Sequence, residues 1–160
     1  MNRFSVTVES EDVVAASRSD VWDVLTDPDR LAPIVPRLDR IEADGDDWRW
    51  ILLGFHVLGL TVEPSFTERM TFTPETRIRF EHAPRPGTRE NAGASGEYRL
   101  SDSDDGGTHV WIRIQLHVDL PLPQMAGGAV RAVMRREVDR MGDGFAEGLR
   151  RELARTSAAA

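Results

Sequence analysis

Apolar residues recur along this chain with two different periods, and the changes of period mark out its elements. Residues 4–14, FSVTVESEDVV, alternate apolar and polar side chains, which puts the two kinds on opposite faces of a strand. In the ASRSDVWDVLTD that follows, Val21, Trp22 and Leu25 fall at helical spacing. Ser17, three positions before Asp20, has the spacing of a capping box, in which each side chain satisfies the other's free amide. Asp27-Pro28 repeats the start signal, an N-cap acid followed by proline at the first helical position. A second short helix is therefore expected over 28–35, carrying Leu31 and Ile34 and ending before Pro36.

From 38 to 120 the period is two. LDRIEA, WRWILLGFHV, EPSFTERMTF, TRIRFEH, ASGEYRL and HVWIRIQLHVDL read as strands. Between them lie DGDD, a tight connection near Gly59, TPE, APRPGTRENAG and SDSDDGG, punctuation that predicts successive antiparallel hairpins. After PLP the period becomes helical again. Val130, Met134, Val138, Met141, Phe145, Leu149 and Leu153 define one long amphipathic helix, with Arg135, Arg136, Asp139, Arg140, Glu147 and Arg151 on its wet side. Its glycines, at 127, 128, 142, 144 and 148, serve either close packing of helix on sheet or, at Gly127-Gly128, a softened first turn that opens the cavity mouth, and the closing RTSAAA is expected to fray. The expected organisation is a single domain over 1–155 and a disordered tail over 156–160.

A strand, two short helices, about six antiparallel strands and a long helix make an α+β layer arrangement. VVAASRSDVWDVLTDPDRLAPIVP resembles the N-terminal signature of the START-like, helix-grip (SRPBCC) superfamily of polyketide cyclases, dehydrases and lipid-transport domains. NAGASGEYRL…GTHVWIRIQL with the long helix after it is similar to the same superfamily, in particular to its carbon monoxide dehydrogenase G-like branch. The resemblance covers nearly the whole chain. It implies a helix-grip fold, a curved antiparallel sheet of about seven strands around the C-terminal helix, with an apolar cavity between them. It names no catalytic residue and no ligand. The membrane-directed tail common in the G-like branch has no counterpart in RTSAAA, so that role is not carried over.

Composition narrows the chemistry. At 160 residues the chain is long enough for one full core. It has no cysteine, which removes disulfides, thiolate nucleophiles and Cys-ligated metals. All 20 basic residues are arginine, so neither Schiff-base chemistry nor a lysine-dependent phosphate loop is open to it. A formal net charge of -7 opposes nucleic acid as a partner. The N-terminal MNRFSVTVESED lacks the apolar stretch of a signal peptide. The run from Ile51 to Val62 contains His56 and is too short to span a bilayer. A cytoplasmic protein without stable membrane insertion is expected. His56, His109 and His117 have no metal-ligand spacing, and neither metal nor cofactor is expected.

Alternation also assigns the inner face. It predicts Trp50 and Leu52, then Phe66, Glu68, Met70 and Phe72, then Ile78, Phe80 and His82. Gly96, Tyr98 and Leu100 follow, and in the last strand Val110, Ile112, Ile114, Leu116 and Val118. Of these, Trp50, Leu52, Phe66, Glu68, Met70, Ile78, Phe80, His82, Tyr98, Ile112, Ile114 and Leu116 are expected to line the cavity, with Leu31 and Ile34 from the short helices and Val130, Met134, Val138 and Met141 from the long one. Across the Pro74-Glu75 turn the tightest register pairs Phe72 with Ile78, Met70 with Phe80 and Glu68 with His82. Extended to the next strand, it sets Gly96 beside His82 and Tyr98 beside Phe80. A carboxylate and an imidazole on an apolar face are costly unless partnered. They either satisfy each other, orient a ligand hydroxyl or carbonyl, or act with Tyr98 as general acid and base.

The expected function is binding, transport or sequestration of a small hydrophobic or amphipathic molecule in an internal cavity. The alternative is a polyketide-type aromatase/cyclase or dehydratase using Glu68, His82 and Tyr98, and a third class is an accessory module that works through its surface. Trp111 beside Arg113 on the outer face marks a candidate contact between copies, so the chain is expected to be a monomer or weak homodimer.

Overall fold

The two capping signals are realised in the computed structural model, which describes residues 1–159. The Ser17 hydroxyl accepts from the Asp20 amide at 3.1 Å and starts α1 (Arg18–Leu25). Asp27 accepts from the Asp29 amide at 2.9 Å and starts α2 (Pro28–Leu31), which runs into a 3₁₀ turn over Ala32–Ile34. Around them lie β1 (Asn2–Val14), β2 (Leu38–Asp44), β3 (Asp47–Leu52), β4 (Phe55–Val57), β5 (Leu60–Val62), β6 (Ser65–Thr73), β7 (Arg77–His82), β8 (Ala92–Asp102) and β9 (Thr108–Leu120). A 3₁₀ turn, Gln124–Ala126, then leads into α3 (Gly127–Ala159).

Seven strands form one antiparallel sheet in the order β1-β9-β8-β7-β6-β3-β2, and the long C-terminal helix packs across it. Successive hairpins account for every neighbour except two: β3 with β6, between which the β4–β5 hairpin is inserted, and β1 with β9, an unbroken ladder from Asn2↔Leu120 to Val14↔Thr108. The sheet therefore ends in two free edges, β1 and β2. The expected single strand WRWILLGFHV breaks in two at Leu53-Gly54. There the Leu53 amide turns to the Arg37 carbonyl at 2.7 Å, and β4 pairs with β5 in a separate two-stranded hairpin. Its Val57 and Val62 pack with Phe4 and Val130 and close one end of the molecule.

Across the Pro74-Glu75 turn the register is as parity requires, with Glu68 opposite His82, Met70 opposite Phe80 and Phe72 opposite Ile78. The next ladder differs from expectation by one two-residue step. Phe80 faces Gly96, and Ile78 faces Tyr98. A Cβ at Gly96 would collide with the Arg113 carbonyl and lie 3.0 Å from Phe80 Cζ, so the glycine is where the Phe80 ring can lie over the backbone of β8. The frayed tail expected from residue 156 is replaced by helix through Ala159. Arg30 of α2 explains the difference: it pairs with Glu152 at 3.2 Å and donates to the Thr156 hydroxyl at 2.9 Å, tying the last turns of α3 to the short helices. Ala160 lies outside the described residues.

The core is in two main parts, one toward each end of α3. Val130 and Met134 pack with Phe4, Val6, Val118 and Leu120. Leu149 and Leu153 pack with Val21, Leu25, Ile78 and Leu100. Each fully buried aliphatic or aromatic side chain contributes about 1.5–3 kcal/mol. In the middle of α3, Phe145 packs against the second part, while Val138 and Met141 border open volume. No helix among the described residues is long and apolar enough to cross a membrane.

Candidate ligand cavity

Glycines let the C-terminal half of α3 sit down on the short helices while its middle stands clear. A Cβ at Gly148 would come within 2.9 Å of the Ile34 carbonyl oxygen, and one at Gly144 would collide with the Pro36 ring. Between that seat and the Val130–Met134 contacts lies a cavity of about 580 Å³. Its floor is the concave face of the sheet, with Trp50, Leu52, Phe66, Met70 and Phe80 on one side and Tyr98, Ile112, Ile114 and Leu116 on the other. Val138, Met141 and Phe145 of α3 form the roof, and Leu25 and Leu31 an end wall. Trp50, Ile112, Ile114 and Leu116 point inward yet are only half-buried, because they face open volume instead of other side chains. The volume is within the range of about 300–1,000 Å³ typical of small-molecule sites.

The mouth lies between the edge strand β1 and α3, at Val8–Asp12 on one side and Asp139, Gly142 and Asp143 on the other. Polar clasps bracket it. Arg135 reaches the Thr7 carbonyl at 3.5 Å, and Arg150 pairs with Asp12.

Glu68 is the carboxyl inside. It is 4% exposed and has no ion-pair partner among the described residues. The Trp50 indole N–H leans toward it without completing a well-formed hydrogen bond. Burial pushes the Glu68 carboxyl well above the usual carboxylate range, and the indole N–H only partly opposes this. The Tyr98 hydroxyl is raised as well, first by burial and then by the nearby Glu68 carboxylate.

His82 is not in the cavity, although its backbone lies opposite Glu68. β7 ends at His82, whose amide donates to the Ser95 hydroxyl at 3.0 Å, and the ring turns to groups of outward parity. Its Nε2 lies 2.9 Å from Glu90 Oε1, and its ring packs edge-on against His117 with centroids 4.9 Å apart. Glu90 also accepts from the Thr67 amide and hydroxyl, at 2.9 and 2.8 Å. Gly93 makes room for the two imidazoles, since a Cβ there would stand 2.6 Å from His82 Cγ. The expected Glu68–His82 pair is thus replaced by a Thr67–Glu90–His82 network.

Four other expected lining residues lie elsewhere. Ile78 and Val130 are fully buried in the core, and Met134 borders an adjoining hollow of about 80 Å³ that shares Leu52, Phe66 and Leu116 with the cavity. Ile34 lies against Gly148 in a groove with Pro36 and Gly144. The reading of strands 66–118 had no place for β1, whose Val8 and Ser10 border the mouth with the inward parity that alternation assigns them. Ala94 and Phe145, which also line the cavity, share the parity or helical stripe of residues already chosen. Trp111 lies outward with the Arg99 guanidinium 4.8 Å above its ring. Among the described residues no group of three His, Asp or Glu side chains is placed to hold a metal ion.

A curved antiparallel sheet closed over a cavity by one long helix defines the class of helix-grip proteins. The chain belongs to the polyketide cyclase / dehydrase and lipid transport family, whose sequence profile matches residues 5–154. Among solved structures it is similar to a conserved protein from Geobacillus kaustophilus, with 15% identity and a TM-score of 0.72 over 94% of this chain and 97% of that one. It is also similar to the Zhui aromatase/cyclase from Streptomyces sp. R1128, with 21% identity and a TM-score of 0.69 over 94% of each chain. A third likeness is to the di-domain ARO/CYC StfQ from the steffimycin biosynthetic pathway, with 15% identity and a TM-score of 0.64. There 97% of this chain covers 52% of StfQ. At these identities the likeness shows the fold. No curated protein matches the chain in sequence.

Proposed function

We propose that the protein binds a small apolar or amphipathic molecule in the cavity between sheet and α3, to carry or sequester it. The observation that supports this most is the cavity itself: about 580 Å³ of open volume beneath a helix that glycines seat at one end and apolar packing at the other. Inward-facing Ile112, Ile114 and Leu116 are only partly covered by other side chains, and a ligand supplies the rest of the cover. Native mass spectrometry of gently purified protein, followed by organic extraction, tests the reading. A one-to-one adduct released by solvent is expected. A bare chain that also fails to take up an apolar fluorophore would contradict it. Placement in the carbon monoxide dehydrogenase G-like branch is part of the proposal and rests on the sequence likeness alone.

A second reading, turnover of a polyketide-like substrate, is favoured by one observation. Glu68 is a carboxyl whose hold on its proton is strengthened by burial, and it lies beside Tyr98 at the cavity, as suits a general acid. His82 has no part in it. In this reading Glu68→Gln abolishes product formation while leaving ligand uptake intact; unchanged turnover in Glu68→Gln would exclude it.

A further inference from the structure

Glu68 has no cationic partner among the described residues; the one donor aimed at it is the neutral Trp50 indole N–H. Glu68 is 4% exposed and borders the cavity, and no arginine or histidine among the described residues lines the same volume. The chain has 20 arginines, and the nearby acids Glu90, Glu97 and Asp47 are each paired with a cationic or histidine side chain. Glu68 is left for something that enters. What surrounds it is aromatic: Trp48 is its cross-strand neighbour, and Trp50, Phe66, Phe80 and Tyr98 line the cavity about it. Ring faces carry negative charge density and attract cations, most strongly where water is excluded.

Acids also border the mouth. Glu9, Glu11 and Asp12 border it from β1, and Asp139 and Asp143 from α3. The three on β1 are offset by Arg113 at 3.7 Å, by His109 at 3.1 Å and by Arg150. Asp139 and Asp143 have no ion pair among the described residues, and they flank Gly142 where the slot is open. The two unpaired acids on the α3 lip favour the approach of cations over that of anionic amphipaths.

We propose that the ligand of this cavity is a hydrophobic cation, an amine or ammonium on an apolar body, whose charged head lies against Glu68 among Trp50, Phe80 and Tyr98. This rests on the cavity reading above. A ligand that enters as the free amine takes the Glu68 proton and becomes the ammonium, whereas one that enters already charged meets the carboxylate after its proton has passed to water; either route ends in a buried ion pair. Neither charge is then left unpaired in the low-dielectric interior.

The test is displacement of N-phenylnaphthylamine, an uncharged apolar fluorophore, by three compounds of one shape: naphthyl-ethylamine, naphthyl-ethanol and naphthyl-propionate. In the wild type the amine is expected to bind about tenfold more tightly than the alcohol, equivalent to about 1.4 kcal/mol, and the acid more weakly than either. In Glu68→Gln the amine loses that advantage while the affinity for the alcohol changes by less than about twofold. In Asp139→Asn with Asp143→Asn the amine is expected to associate about threefold more slowly, with the alcohol unaffected. An acid that binds as well as the amine, or an amine that keeps its advantage in Glu68→Gln, would overturn the proposal and leave the cavity reading standing. If neither the fluorophore nor the alcohol binds the wild type, both fall together.

Discussion

Two glycines of α3 should respond in opposite directions to one substitution. At Gly142 an added Cβ meets nothing within 4 Å, and replacing a helical glycine by alanine is worth about 1 kcal/mol, because the unfolded chain loses more freedom than the folded one. Gly142→Ala is therefore expected to stabilise the protein by about that amount. At Gly148 the same gain in propensity is opposed by a Cβ 2.9 Å from the Ile34 carbonyl oxygen and 3.0 Å from Ile34 Cβ. The obstacle is backbone, which cannot swing aside, so α3 must lift from its seat. Overpacking of this kind costs about 1–3 kcal/mol, giving a net loss of up to about 2 kcal/mol. For a chain of this size 1 kcal/mol moves Tm by about 2–4 °C. Thermal unfolding followed by circular dichroism should show Gly142→Ala melting a few degrees above the wild type and Gly148→Ala below it. Both variants make the same chemical change in the same helix, so shifts of the same sign would refute the claim that Gly148 seats the helix and Gly142 faces open space.

Two further outcomes follow from the burial pattern. The Glu68 carboxyl keeps its proton to higher pH when folded than when unfolded, so its contribution is fully present below the unfolded value near pH ~4.3 and is lost as pH rises through the folded one. Glu68→Gln, which cannot ionise, should therefore exceed the wild type in urea stability at pH 8 and match it near pH 4. A gain confined to acid would contradict the sign. Ile78→Ala should cost about 2–5 kcal/mol, because Ile78 is fully buried, whereas Ile114→Ala should cost about 1 kcal/mol, since Ile114 already borders open volume. Equal costs by denaturant unfolding would mean that the space above Ile114 is filled.

Parity along strands was legible where turns are short. Pro74, Glu75 and Thr76 close the β6–β7 hairpin, with Glu75 in the left-handed region at φ 57°, and little freedom remains for the register. Residues 83–91 separate β7 from β8 without such a constraint, and there the expected register is off by one step. Parity gives the face of a side chain and not its depth. Ile78 and Ile112 share a face, yet Ile78 is in the core and Ile112 borders the cavity, because the curvature of the sheet and the height of α3 decide which inward residues are covered. The orientation of His82 was beyond pattern reasoning for another reason. It is the last residue of its strand, and its ring follows Glu90, which no alternation connects to it. Glu68 and Tyr98 were legible as polar residues on an apolar face, and both lie at the cavity.

Everything proposed for this protein depends on an apolar molecule occupying the space between α3 and the sheet. The most direct test is a fluorescence titration with N-phenylnaphthylamine of the wild type and of Ile114→Trp, a substitution at the middle of the cavity floor. The wild type should saturate at one probe per chain. Ile114→Trp, with unchanged circular dichroism, should bind at least about tenfold more weakly, a loss of about 1.4 kcal/mol or more. Equal binding by both proteins, or none by the wild type, would contradict the account.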